Sequence, residues 1–590
     1  MSGRLSSMGD LLALGRLERM PLRRLLRESG SVLVAAAGLV GAAGGGIASF
    51  TVYAAGYLHT ILFGLADDVP LSAAAALNPV QMIAVLAMGG LAIGLLAAFR
   101  RKRAGNIVDP IEANALHGGR MSASDSAFVA AQSVLSSGCG ASLGLEGGFT
   151  QAASAIGSVV GTAMRRRRHD VRMLVAAGAA GAIAGAFGAP TAGAAYGFEL
   201  ILGSYTVANL APIVVAAVAG AYASQAIFGQ GYRIWLGALH FAGGSQLLLL
   251  LLLGVTCGLL AVLLMRGVTA TERLISAEGI ARLYRPVLGG LMLAMLGLVT
   301  PHALGSGHGG IALVLTSPWT TAALALVLGT KIVASAVSLG SGFRGGLFST
   351  SLFLGALTGA LIASIAVALG VLPADDTALF TLVGMASFAA AVIGTPMTMA
   401  LLAVEITDSL SVISPVLIGV VVAVLTVRRV FGYSFATWRF HLRGEAILGG
   451  EDIGWVRDLT ARSLMRRDLP TVSADTGLDA TRAQYLLGST RYVAVVDGDG
   501  AFLGLLDIAG IHSLSNGNGG LKNHVVHADA VVEARAKLDD ILPLFEKYET
   551  ETLVVVDSVQ SRRVEGLITE AFALRRYRLE LERRQREMFG

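Results

Sequence analysis

The feature that most constrains this chain is a close succession of apolar segments, at about 31–64, 80–99, 124–138, 149–164, 172–186, 190–203, 205–228, 244–265, 285–300, 311–340, 346–371, 376–393, 396–406 and 411–431. A helix needs about 20 apolar residues to cross hydrocarbon, and the longer runs supply them. The others are too short or are interrupted by Gly and Pro, the pattern of helices that end in mid-membrane and aim their termini at a substrate. Composition agrees: of 590 residues 54% are hydrophobic, 14% are charged and 75 are Gly, with a mean hydropathy of +0.68. That excludes an ordinary soluble domain and predicts a polytopic membrane protein. The net charge of +5 is not that of a nucleic-acid binder. Its basic residues stand beside apolar segments (Arg16, Arg19, Arg23, Arg24 and Arg27; Arg100, Arg101, Lys102 and Arg103; Arg165 to Arg168; Arg428 and Arg429), which places both termini on the cytoplasmic side. Residues 1–29 are basic and amphipathic and precede the first run without a cleavage site, so they read as a cytoplasmic helix. Cys139 and Cys257 lie in apolar surroundings and read as buried thiols.

Within this frame, Ser136 to Gln151 (SSGCGASLGLEGGFTQ) holds one acidic residue in a glycine-rich run. A carboxylate at bilayer depth costs about 2.5 kcal/mol or more and is placed mostly where a polar pathway needs it. From Phe149 onward the sequence reads as helix, so a helix N-terminus begins near Glu146, with Gly138, Gly140, Gly144, Gly147 and Gly148 before and around it. Such a terminus favours an anion through free N–H groups and the positive end of the helix dipole. No Lys or Arg lies in the stretch, which suits loose, exchangeable binding. The plainer alternative is a glycine-packed helix crossing.

The motif has an echo. Gly144-Leu-Glu-Gly-Gly-Phe149 is matched by Gly342-Phe-Arg-Gly-Gly-Leu347, and Gly188-Ala-Pro190 with Glu199 by Gly394-Thr-Pro396 with Glu405. In both of the latter the Glu lies nine residues after the Pro. Two motifs recurring in order predict two homologous halves, arranged as inverted repeats around a central site. After Arg429 charges become frequent, and from about Val456 the pattern turns to soluble α/β. It occurs twice: a helix near 481–487 with strands Tyr492–Val496 and Phe502–Leu506, then a helix at Leu538–Tyr548 with strands Thr552–Val556 and Val564–Ile568. Asp507 and Thr569 stand as caps of the helices that follow.

These motifs together resemble the CLC family of chloride channels and anion/proton antiporters, over nearly the whole chain. Gly144-Leu-Glu-Gly-Gly148 is similar to the family's G-[K/R]-E-G-P, Gly345-Gly-Leu-Phe348 to its G-x-F-x-P, and the Pro190/Glu199 and Pro396/Glu405 pairs to its paired helix motifs. The tail resembles a CBS pair. The resemblance implies an all-α polytopic membrane domain of two inverted repeats whose broken half-helices meet at a central anion site, with a cytoplasmic α/β CBS pair. The expected domains are 1–29, a membrane domain at 30–443, a linker at 444–455, CBS repeats at 456–513 and 526–582 joined by 514–525, and a tail at 583–590. It further implies a voltage-gated, non-enzymatic homodimer in the lipid bilayer, in a prokaryotic inner membrane, with one pathway per subunit. The anion, chloride or a similar small one, would be held by backbone N–H groups of Leu145, Glu146, Leu347 and Phe348, with Glu146 as the gating carboxylate. Tyr433 falls where the family places a hydroxyl donor, though an interfacial tyrosine fits as well.

Departures stand beside these matches. Asn106, in Gly105-Asn-Ile-Val-Asp109, takes the place of the family's anion-binding Ser; Gly148 and Thr350 replace prolines; Arg344 adds a cation; and Lys331 lies in an apolar run without an evident partner. Family antiporters carry two adjacent carboxylates after the first G-x-P motif, whereas here the pair is Glu199-Leu200. This favours passive conduction over antiport, with Glu112 and Glu199 the remaining candidates for a proton pathway. Asp507, Thr569 and Glu570 are the candidate contacts of an adenine nucleotide in the CBS pair, the one cofactor the resemblance suggests. The rival from another class is a membrane sensor that reads a ligand through the CBS pair and transports nothing.

Overall fold

The computed structural model describes residues 29–66, 69–101, 107–229, 244–277, 280–442, 460–514 and 520–576. Asn106, residues 1–28 of the N-terminal segment, the 444–455 linker, residues 515–519 of the 514–525 loop and the 583–590 tail lie outside them. The chain divides into two compact units, at Asp452/Ile453.

The first unit is helical: α1 (Gly30–Phe63), α2 (Pro79–Arg101), α3 (Pro110–Leu116), α4 (Ala123–Gly138), α5 (Glu146–Ala163), α6 (Arg168–Phe187), α7 (Pro190–Tyr196), α8 (Val207–Phe228), α9 (Ser245–Ala277), α10 (Arg285–Val299), α11 (His308–Thr316), α12 (Thr321–Ser341), α13 (Phe348–Ala368), α14 (Thr377–Ile393), α15 (Pro396–Thr407), α16 (Ile413–Val430) and α17 (Phe435–Leu442). Among the described residues nine helices are long and apolar enough to cross a membrane. The single apolar run read at 311–340 is two helices, because Pro318 cannot continue α11. Residues Gly197–Leu202 extend α7 as a π-turn, so Glu199 and Leu200 do not follow α-helical spacing.

The two halves repeat closely. α5 and α13 begin 202 residues apart (348 − 146), and α7 and α15 begin 206 apart (396 − 190). Packing obeys the same offsets. A Cβ on Gly157 would strike the Leu174 carbonyl, and one on its counterpart Gly359 the Phe380 carbonyl; Gly178 is closed in by Ala153, and Gly384 by Gly355. Helices whose backbones touch need glycine at the crossing, and with no hydrophobic drive between helices in lipid such close packing supplies the adhesion. α6 and α14, the partners in these crossings, each have 83% of their apolar window buried, whereas α2 and α8 have 33%. This register corrects the letter-by-letter echo: Glu146 answers to Phe348, not to Arg344, which precedes the second half-helix.

The second unit contains α18 (Ala461–Leu464), β1 (Thr471–Ser473), α19 (Leu478–Gln484), β2 (Tyr492–Val496), β3 (Phe502–Asp507), α20 (Ile508–Ser513), β4 (Val525–Val526), β5 (Val531–Glu533), α21 (Leu538–Lys547), β6 (Thr552–Val556) and β7 (Val564–Thr569). Its sheets run β1-β2-β3-β4 and β5-β6-β7. In each a parallel pair is followed by an antiparallel one, with a register shift at Val495/Val496 and again at Val555/Val556. Ala494, Phe502, Leu505, Val554 and Val556 form a core shared by both repeats. Ala461 and Leu464 pack into the core of the second repeat, so the segment that opens the first repeat in sequence is structurally part of the other.

Candidate functional site

The site is built where the two half-helices face each other. The Gly144 N–H donates to the Gly346 carbonyl and the Gly346 N–H to the Gly144 carbonyl, both at 2.8 Å, an isolated antiparallel bridge between the halves. Two residues beyond each glycine a helix begins: α5 at Glu146 after Leu145, and α13 at Phe348 after Leu347. Neither N-cap residue supplies a side-chain acceptor, an arrangement that suits an anion at the two helix starts.

Glu146 is 3% exposed. Its Oε1 accepts a hydrogen bond from the Ser349 hydroxyl, on the first turn of α13, and its Oε2 has no hydrogen-bond partner among the described residues. A Cβ on Gly144 would collide with that oxygen. The carboxylate of one half-helix thus lies against the N-terminus of the other, with one buried oxygen unanswered. Buried polar atoms are nearly always paired, so an open acceptor at this depth calls for a proton or a donor to answer it.

Behind Ser349 the array continues. His308 Nε2 lies 3.3 Å from Ser349 Oγ and His308 Nδ1 3.2 Å from Ser306 Oγ. The imidazole stacks on Phe187, with centroids 5.6 Å apart, and Phe187 packs on Phe348. Thr350 Oγ1 donates to the Ser306 carbonyl at 3.4 Å, tying this loop to α13. Ser306, His308 and Ser349 were not among the residues singled out from the sequence. Ser306 and His308 had a signal in the run Gly305-Ser-Gly-His-Gly-Gly310, a polar pair set among glycines as Glu146 is; Ser349 had none.

The halves also meet at α7 and α15. Glu199 accepts from the Met397 N–H (3.0 Å), the Thr398 N–H (2.9 Å) and the Thr398 hydroxyl (2.7 Å), at the start of α15. Reciprocally, Glu405 accepts from the Thr191 and Ala192 N–H groups (2.8 and 2.9 Å), at the start of α7. Each half therefore caps the proline-led helix of the other. Glu199, a candidate for the proton pathway, has both oxygens engaged in this way.

The remaining candidates have partners of their own. Glu112, 5% exposed, pairs with His117 at 3.7 Å. Tyr433 stacks on His441, with centroids 4.4 Å apart, and neighbours Trp438. The Arg344 N–H donates to Ser136 Oγ at 3.0 Å, and Arg439 and Arg100 are its charged neighbours. Lys331, fully buried, does have partners: Nζ donates to the carbonyls of Ala303 (3.2 Å), Leu304 (3.4 Å) and Gly305 (2.6 Å) and stands 5.7 Å from the Phe353 ring centroid. In the second unit Asp507 caps α20 through the Ala509 N–H, Thr569 pairs with Thr552 at the end of β7, and the Glu570 N–H donates to the Glu551 carbonyl.

Residues 88–428 match the family model described as voltage gated chloride channel. A protein of Ralstonia nicotianae named as a ClcB-like chloride channel protein is 32% identical over 403 residues, 67% of this chain and 93% of that one. Among solved structures, a slow cyanobacterial Cl−/H+ antiporter is similar with a TM-score of 0.61 at 22% identity, over 70% of this chain and 97% of that one. A eukaryotic CLC transporter is similar with a TM-score of 0.57 at 20% identity, over 93% of this chain and 98% of that one. At such identities these two likenesses establish the fold alone. The two inverted halves, the half-helices that face each other across Gly144 and Gly346, and the family match over most of the membrane unit together establish that the chain belongs to the CLC family.

Proposed function

We propose that the membrane unit conducts a small, chloride-like anion passively, through a pathway that Glu146 gates. The observation that carries this reading is the place of the Glu146 carboxylate: buried, against the first turn of α13, with no partner for Oε2 among the described residues. Ionised, it competes with a permeant anion for the two helix termini; protonated, it loses that attraction and yields the site. Leu145, Glu146, Leu347 and Phe348 would present their N–H groups to the anion, and Asn106 and Tyr433 would complete the inner end. Chloride is the anion in the name of the Ralstonia relative.

Conduction is preferred to exchange because Leu200 cannot carry a proton. Exchange is the second reading, favoured by the hydrogen-bonded array that reaches Glu146 through Ser349 and His308. The protein is read further as a homodimer in a prokaryotic inner membrane with both termini inside, and its C-terminal repeats as an adenine-nucleotide sensor contacted at Asp507, Thr569 and Glu570. Calorimetry of the full chain with ATP, ADP and AMP tests the last point, and no heat with any of them would leave the unit a purely structural module.

The deciding experiment is chloride efflux from proteoliposomes. Wild type is expected to pass chloride faster at acid pH, and Glu146→Gln, which keeps the shape and removes the charge, to pass it at a rate independent of pH. Well-folded protein that moves no anion would end the reading in favour of a sensor.

A further inference from the structure

We propose that Ser306, His308 and Ser349 form a proton relay that charges and discharges Glu146, an inference that rests on the reading of Glu146 as the gate. The geometry gives the array a direction. Ser349 Oγ donates to the Glu146 carboxylate, so it accepts from His308 Nε2–H; the Nδ1 of the neutral imidazole then accepts from the Ser306 hydroxyl. Every donor points towards the carboxylate. Ser349 is fully buried and Ser306 is partly exposed, so the array runs from a partly open end at Ser306 to a closed one at Glu146.

The step balances within these atoms. A hydronium ion gives a proton to Ser306 Oγ, whose own proton passes to Nδ1; the Nε2 proton passes to Ser349 Oγ, whose own proton passes to Glu146 Oε1. One positive charge enters, one carboxylate is neutralised and one water is left. The imidazole ends as the other tautomer with every hydrogen bond reversed, poised to return the proton by the same route. Phe187, stacked on the ring, and the Thr350 bond to the Ser306 carbonyl hold the imidazole between its two hydroxyls.

Among the described residues the titratable groups that face the array are Glu146 from α5, Tyr196 from α7, whose ring lies 6.1 Å from that of Phe348, and Lys331 from α12, whose Nζ is bonded to the Gly305 carbonyl beside Ser306. None of them stands between His308 and Ser349. The nearby His302 is turned to the Ser72 carbonyl and to Trp319. His308 acts through Ser349 and does not touch the anion, so it is a positioning residue whose effect must be read in proton timing.

The test follows chloride flux from full-length protein in proteoliposomes after acid jumps on each face in turn, by stopped flow. His308→Gln keeps a donor towards Ser349 but cannot pass a proton through the side chain. It is expected to slow the onset of the acid response by about tenfold or more, short of the ~10²-fold that a positioned proton-transfer group supplies because water substitutes in part. Its steady flux and pH midpoint should stay near wild type, which a merely structural loss would not allow. Ser349→Ala should slow the onset as well, Ser349→Thr should keep wild-type speed, and the His308→Gln/Ser349→Ala double variant should be no slower than the slower single. Wild-type speed in both His308→Gln and Ser349→Ala overturns the relay. If His308→Gln does not fold, the Ser349 pair decides alone, and equal speed in Ala and Thr overturns it. If Glu146→Gln keeps its pH dependence the gate reading fails; if Glu146→Gln is flat while His308→Gln responds at full speed, only the relay fails.

Discussion

The two halves of the membrane unit meet at two pairs of helix starts, and the two pairs differ. At α7 and α15 the arrangement is symmetric: Glu199 and Glu405 occupy equivalent positions, and each spends both oxygens on the other half's helix start. At α5 and α13 the backbone is symmetric, with Gly144 and Gly346 bonded to each other, but the side chains are not. Glu146 stands where the second half has Phe348, and one of its oxygens is unanswered among the described residues. A carboxylate that the duplicated fold keeps in both halves and saturates is part of the scaffold. The one that breaks the symmetry is free to change its protonation or position without unmaking a helix.

The strongest way to break this contrast is Gly144→Ala. Its Cβ would fall on Glu146 Oε2, so the carboxylate must leave its place against α13. The variant is expected to resemble Glu146→Gln, with chloride efflux that has lost most of its dependence on pH, although the acid itself is intact. Efflux with wild-type pH dependence would show that the observed place of the carboxylate is not the closed gate.

A middle-sized effect should separate the two meetings. Glu199→Ala and Glu405→Ala each leave helix-start N–H groups without their acceptor, at about 1–3 kcal/mol for each group that stays buried. We expect both to lower the thermal midpoint of the purified protein by similar amounts, with the surviving protein still gated by acid. Unequal losses, or a change of pH dependence in Glu199→Ala alone, would break the symmetry claimed for this pair.

Much of this was legible in the sequence for physical reasons, and the rest was not. The helix segments could be read because lipid demands long apolar runs, and Glu146 because a lone carboxylate among glycines is costly in that setting. The Pro190/Glu199 and Pro396/Glu405 pairs were legible as a repeat. That each Glu caps the opposite helix was not, since the partners lie 198 to 214 residues away. The same distance hides Ser349 from Glu146, and His308 reaches the site only through Ser349. Lys331 looked orphaned because its acceptors are backbone carbonyls of a distant turn, which carry no side-chain signature. The echo of Glu146 in Arg344 failed for the opposite reason: glycines match glycines at several offsets, and only helix starts and backbone contacts fix the true one.

The smallest expected effect bears on conduction against exchange. A proton that reaches Glu146 through His308 and returns the same way gates the pathway without crossing the membrane. Exchange needs a second exit from Glu146 to the other side. Glu199 offers a poor one, because its oxygens hold α15, Glu112 is paired with His117, and Leu200 carries no proton. Leu200 is partly buried against the apolar core on the π-turn that also holds Glu199. Leu200→Glu therefore adds an acid beside one already committed to a helix end. We expect wild type to show no uphill proton movement when a chloride gradient is imposed across proteoliposomes, and Leu200→Glu to leave chloride flux close to wild type and to add no proton movement. Proton transport in fixed ratio to chloride by the wild type would replace conduction with exchange. It would also require an exit that uses neither residue 199 nor residue 200, which makes Glu112→Gln in that same assay the measurement that would locate it.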